Sequence, residues 1–214
     1  MSTDTTVSPL RQRMIEDMAA RKLGPHSHRS HIDSCRRFAT FLGGVYLRVT
    51  PQTRPDAAIC ELARSVERTD PLERLHALAG AVRARVDYVP GSTNAHTEAA
   101  EALADGKGVC QDHAHIFIAA ARSLGVPARY VTGYLVVDTD NASEAHHAWA
   151  EAWVEGLGWV GFDVANRICP TERYVRLAVG LDARYAAPVI GSRSGGAAEA
   201  LEVCVEVQRQ SSQQ

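Results

Sequence analysis

Between His147 and Trp153 every second residue is an alanine: His147, Trp149, Glu151 and Trp153 are separated by Ala148, Ala150 and Ala152. On an extended strand this period of two puts the large polar and aromatic groups on one face and only methyl groups on the other. A methyl face lets a helix approach closely, so the pattern calls for a sheet with a helix lying on its alanine side. Glu155-Gly156-Leu157-Gly158 then supplies a turn, and Trp159 to Asp163 returns as the partner strand of a hairpin. Loop parity decides where Asp163 points. With five loop residues, Val154 to Gly158, Asp163 falls opposite Trp149 on the His147 face. It is then a diagonal neighbour of His147 at roughly 7–8 Å between backbones. A loop one residue shorter would turn it away.

The helix that such a sheet needs is found upstream. Val109, His113, Ile116, Phe117, Ala120 and Leu124 share one helical face, and Gly125 with Pro127 ends the run. Cys110 therefore lies in the first turn, where unpaired N–H groups and the positive end of the macrodipole favour a thiolate. A cysteine placed for packing belongs mid-helix on the apolar stripe. The other four, Cys35, Cys60, Cys169 and Cys204, read as small buried hydrophobes. An odd number of scattered cysteines without a CxxC pair suggests neither a disulfide framework nor a zinc finger.

Cys110, His147 and Asp163 together match covalent acyl transfer: a nucleophile, a base that takes and returns its proton, and a carboxylate that fixes the base's tautomer. A zinc site from Cys110, His113, His146 and His147 would need both faces of the strand at once, so neither a metal nor a cofactor is expected. Among the neighbours of the cleft, Gln111 follows the cysteine and Trp149 lies two residues from the histidine. Trp149, Trp153 and Trp159 read mainly as core. Glu151, on a half-buried face, needs a partner, and a strand-to-helix hydrogen bond is expected. His146 is the runner-up base but points to the opposite face. His113 and His115 read as histidines of the helix surface or of the layer behind the cysteine, and His96 borders the cleft.

The N-terminal segment differs in charge. Residues 1–43 hold seven Lys/Arg against four Asp/Glu, a net +3, whereas the remainder, with sixteen against twenty-one, carries −5. Ser8 as cap and Pro9 at the first position open a helix bearing Leu10, Met14 and Met18, which Leu23-Gly24-Pro25 ends. A second helix spans HSHRSHIDSCRRFATFLG. This basic hairpin resembles the N-terminal core-binding segment of tyrosine recombinases. That resemblance implies DNA contact through Arg29, Arg36 and Arg37, while a two-helix appendage that merely packs on its neighbour reads equally well. Residues 46–55 suggest a linker or edge strand, and 56–68, 71–86 and 97–103 read as helices. No run of about 18 apolar residues exists and the first residues are polar, so a cytoplasmic, soluble protein without membrane contact is expected.

The motifs GKGVCQDHAHIFIAAARSLGVPARYVTGYL, HHAWAEAWVEGLGWVGFD and ANRICPTERYVRLAVGLD, in that order, resemble the bacterial branch of the transglutaminase-like superfamily. The resemblance implies a papain-like α+β fold, a cysteine-bearing helix packed on an antiparallel sheet, and a triad of Cys110, His147 and Asp163. It also implies a peptide or protein substrate, with hydrolysis as the expected outcome and glutamine cross-linking as an alternative; the recombinase-like N-terminus adds a catalytically impaired DNA-binding fusion as another. Relatives commonly show proline after the aspartate, where this chain has Val164, and a β-rich region where it has the helical hairpin. The expected organisation is a hairpin over 1–44, a catalytic domain over 45–208 and a disordered tail over 209–214.

Overall fold

A computed structural model of the chain describes residues 9–31, 44–136 and 146–188. Helix α1 (Pro9–Ala20) and helical residues 25–31 (α2) are the described elements of the N-terminal segment. Ser8, Cys35, Arg36, Arg37, Cys204 and the tail lie outside the described residues. Thereafter come α3 (Ala57–Ser65), α4 (Pro71–Arg85), β1 (Asp87–Tyr88), α5 (Ala99–Asp105), β2 (Lys107–Gly108) and α6 (Cys110–Ser123). The chain continues with β3 (Ala128–Leu135), β4 (His146–Val154), β5 (Gly158–Phe162) and β6 (Tyr174–Gly180). Among the described residues no helix is long and apolar enough to cross a membrane.

Strands β3 to β6 form an antiparallel sheet in the order β5-β4-β3-β6. The alternation in β4 works as its chemistry dictates. Ala148, Ala150 and Ala152 are buried in one core with α6, where no larger side chain keeps helix and sheet apart. Helices α3, α4 and α5 pack on the other sides of α6, so residues 112–122 are buried all round, beyond the single apolar stripe that the periodicity marked. Phe117 meets Phe162 of β5 with ring centroids 5.0 Å apart, and Ile59, Leu78, Val82 and Val86 close the core. The sequence pattern gave no separate signal for β6 or for the short parallel β1–β2 pair, which sets Tyr88 beside Gly108 just before Cys110.

Residues 46–55 are neither linker nor strand. Pro51–Thr53 is a 3₁₀ turn closed by reciprocal Thr50–Thr53 bonds, and its polar groups are buried because they meet partners inside the protein. Gln52 donates to the Ala95 carbonyl at 2.7 Å. Arg122, 6% exposed, donates to Thr53 Oγ1 and to the carbonyls of Tyr46, Ala128 and Leu181. One guanidinium thereby ties this turn, the end of α6, the start of β3 and the segment after β6 together. Burial pulls its pKa down to about 10 despite the nearby Asp182 charge.

Candidate active site

Helix α6 begins where its sequence lets it. Val109 offers no side-chain cap, but Asp112 in the first turn reaches back to the Val109 N–H at 2.8 Å, and the same carboxylate oxygen accepts from Thr93 Oγ1 at 2.6 Å. Gly108 permits this closeness, since a Cβ there would stand 2.7 Å from Asp112 Cβ. Cys110 is thus held, half-buried, at the tip of a helix whose first N–H groups lack partners within the helix.

Across the sheet, the ladder pairs Trp153 with Trp159, Glu151 with Gly161 and Ala150 with Phe162. Val154 and Gly158 also pair, which leaves a loop of 155–157 in place of the five expected residues, but parity and register are those that put His147 and Asp163 on one face. His147 Nε2 lies 2.6 Å from Asp163 Oδ2, and Cys110 is close enough to the same imidazole to favour its protonated form. His147 is 7% and Asp163 1% exposed. Burial lowers the proton affinity of His147, yet Asp163 and Cys110 outweigh it and push the pKa up to about 9. For Asp163 burial acts upward, and its hydrogen bonds with the imidazole and with Tyr174 and Asn166 hold it below the ordinary carboxylate value.

Two residues around Asp163 had no place in the sequence reasoning. Asn166 donates its backbone N–H to Oδ1 at 3.1 Å and its side-chain amide to Oδ2 at 2.8 Å, and the Tyr174 hydroxyl donates to Oδ2 at 2.6 Å. For Asn166 a signal exists: an aspartate accepting from a backbone N–H a few residues on is ordinary turn chemistry. Tyr174 opens the YVRLAVG run, but only the fold of the 163–173 loop shows where it reaches. Reciprocal bonds between Asp163 and Ile168 close the turn between them, and Val164 is 3% exposed, so the strand end is held without a proline.

The remaining candidates scatter. Trp149 is buried and stacks near His147 at 6.5 Å between centroids, bordering the site, and Gln111 is half-buried beside Cys110. His146 is exposed and lies 3.2 Å from Thr132 Oγ1, away from the Asp163 pair. His113 and His115 are not surface groups: both are fully buried because α6 is covered on every side. His113 sits between the carbonyls of Val109 and Val86, and His115 Nε2 accepts from the Ala183 N–H. Burial, with Arg122 nearby, drives the His115 pKa to about 4. Glu151 finds its partner within the sheet rather than on a helix, in ion pairs with Arg129 at 2.6 Å and Arg176 at 3.2 Å. Trp153 is 38% exposed instead of core, since on the face opposite α6 it stands at the hairpin end of β4.

Cys169 is exposed and Cys60 half-buried, contrary to the buried expectation: Cys169 sits on the loop crossing the outer sheet face. His96 and Arg29 are exposed. Among the described residues no group of three His, Cys, Asp or Glu is arranged to hold a metal.

The described arrangement has counterparts. A structure from Cytophaga hutchinsonii, described as a proposed cysteine protease, superposes with a TM-score of 0.57 at 32% identity, covering 66% of this chain and 48% of that one. A Mycobacterium leprae protein without an assigned function is 35% identical over 169 residues, which is 76% of this chain and 60% of the relative. One from Mycobacterium tuberculosis is 34% identical over 130 residues, 56% of this chain and 41% of the relative. The chain thus spans about half of these proteins' length. The model of the transglutaminase-like superfamily matches residues 61–164, a span that carries Cys110, His147 and Asp163, and over that span the chain is similar to the superfamily.

Proposed function

We propose that the protein is a cysteine-dependent acyl-transfer enzyme that hydrolyses peptide or amide bonds. The observation that carries this reading is the His147 imidazole bonded at 2.6 Å to a buried Asp163, with Cys110 at the first position of helix α6 acting on the same imidazole. The Cys110 sulfur adds to the substrate carbonyl carbon, and His147 delivers its proton to the departing amine as the C–N bond breaks. Asp163 bonds Nε2, so Nδ1 is the ring nitrogen left to exchange a proton with the thiol. Water, deprotonated by His147, then cleaves the thioester and releases the acid and free thiol. First-turn N–H groups of α6, that of Cys110 foremost, are suited to the oxyanion. The proposed protease role of the C. hutchinsonii relative supports water as acceptor.

The test offers a fluorogenic peptide mixture and, in parallel, a glutamine-containing protein with a fluorescent primary amine. Peptide cleavage is expected, reduced by more than about 10³-fold in Cys110→Ser, with an alkaline limb near pH 9 as His147 loses its proton. Amine incorporation exceeding cleavage would reassign the protein to cross-linking. Turnover that survives Cys110→Ser would end the reading.

A further inference from the structure

We propose that Asn166 and Tyr174 act as a neutral clamp that keeps Asp163 ionised and aimed at His147, and hence as positioning residues of the triad; this rests on the acyl-transfer reading above. Oδ2 of Asp163 receives three donors: His147 Nε2 at 2.6 Å, the Asn166 side-chain amide at 2.8 Å and the Tyr174 hydroxyl at 2.6 Å. Oδ1 receives the Asn166 backbone N–H at 3.1 Å. The donors come from both ends of one segment. Asn166 sits in the turn that the Asp163–Ile168 bonds close, and Tyr174 heads β6 after the loop has crossed the outer sheet face. Edge-on contact of the Tyr174 ring with His147 at 5.9 Å and Trp149 at 5.4 Å fixes the direction from which its hydroxyl arrives.

The neutrality of these donors has a purpose that a structural role would not require. A carboxylate 1% exposed needs its charge satisfied. An arginine or lysine would do so, but it would cancel the negative charge that the imidazolium depends on. An amide and a phenol hold the carboxylate in its ionised form and leave its charge for His147 to feel.

Other titratable and charged groups face this carboxylate from several elements. They are Tyr88 on β1, Cys110 on α6 beyond the imidazole, His76 on α4 and Arg167 in the turn, with Arg173 beside Tyr174. All are retained in the variants below.

The test follows the low-field proton resonance of His147 Nε2–H in ¹⁵N-labelled protein without substrate while the pH is lowered. Asp163→Asn identifies the signal by altering it. In Tyr174→Phe, which keeps the ring, and in Asn166→Ala, the midpoint at which the signal is lost should rise by about one pH unit each, because a charge-assisted donor to the carboxylate is gone. Unchanged midpoints in both variants, even with lower thermal stability, would reduce the two residues to packing and overturn the clamp. If Tyr174→Phe does not fold, Asn166→Ala alone decides. The readout needs no turnover, so a wild-type protein lacking Cys110-dependent activity would sink the acyl-transfer reading without moving this result.

Discussion

Replacing His147 by Gln should remove a pH dependence whose size follows from the site. The folded imidazole titrates at about 9 against an ordinary 6.5, a rise that Asp163 and Cys110 produce against the opposing effect of burial. At 1.36 kcal/mol per unit, that difference is worth about 3 kcal/mol of folding stability. At 7% exposure, solvent screens little of it. Because the folded value is the higher one, the contribution is complete below pH 6.5, declines as pH rises, and is gone above pH 9. Urea unfolding at fixed ionic strength between pH 6 and 10 measures this directly. The wild-type midpoint should fall relative to that of His147→Gln across the window, with equal m-values, until the two curves run parallel at the alkaline end. Curves parallel throughout would show that the imidazole is not held as a cation, and the ion-pair argument for the site would fail. The Asp163 carboxylate, held low, acts at the other end: its stabilisation is present above the ordinary carboxylate value and is lost as pH falls through the folded one.

Two further substitutions test the frame around the site. Gly133→Ala should destabilise by roughly 3 kcal/mol in chemical denaturation, since the added Cβ would overlap the Val175 carbonyl oxygen and stand 3.0 Å from Trp149 Cη2. A loss below about 0.5 kcal/mol would show that the β3–β6 pairing, whose register shifts between Thr132 and Gly133, relaxes freely. Arg122→Leu should cost roughly 3–5 kcal/mol, because the Ala128 and Leu181 carbonyls and Thr53 Oγ1 lose a buried donor; an unchanged unfolding midpoint would contradict this.

The parts of the site that were legible are those governed by local periodicity. The alanines of β4 announced the helix-bearing face, and loop parity announced that Asp163 and His147 share the other; both follow from a period of two and need no tertiary information. For the histidines of α6 the surface option failed, because periodicity sees one helix and one face. His115 is buried by α6's neighbours and by the segment around Ala183, which no window around the helix contains. Glu151 was known to need a partner, but Arg176 reaches it from β6, on the far side of β3, an adjacency set by strand order alone. Tyr174 escaped notice because the course of the 163–173 loop, which brings it back to Asp163, has no periodic signal.

The body of α6 is enclosed on every side while Cys110, at its tip, remains partly open. Alkylation of the thiol and hydrogen exchange of the helix amides therefore report on different events. Exchange at residues 114–121 has no local opening to use and must await cooperative unfolding of the whole core. The sulfur meets reagent from the native state, so one helix should show a thiol that is labelled without unfolding and amides that exchange only with it.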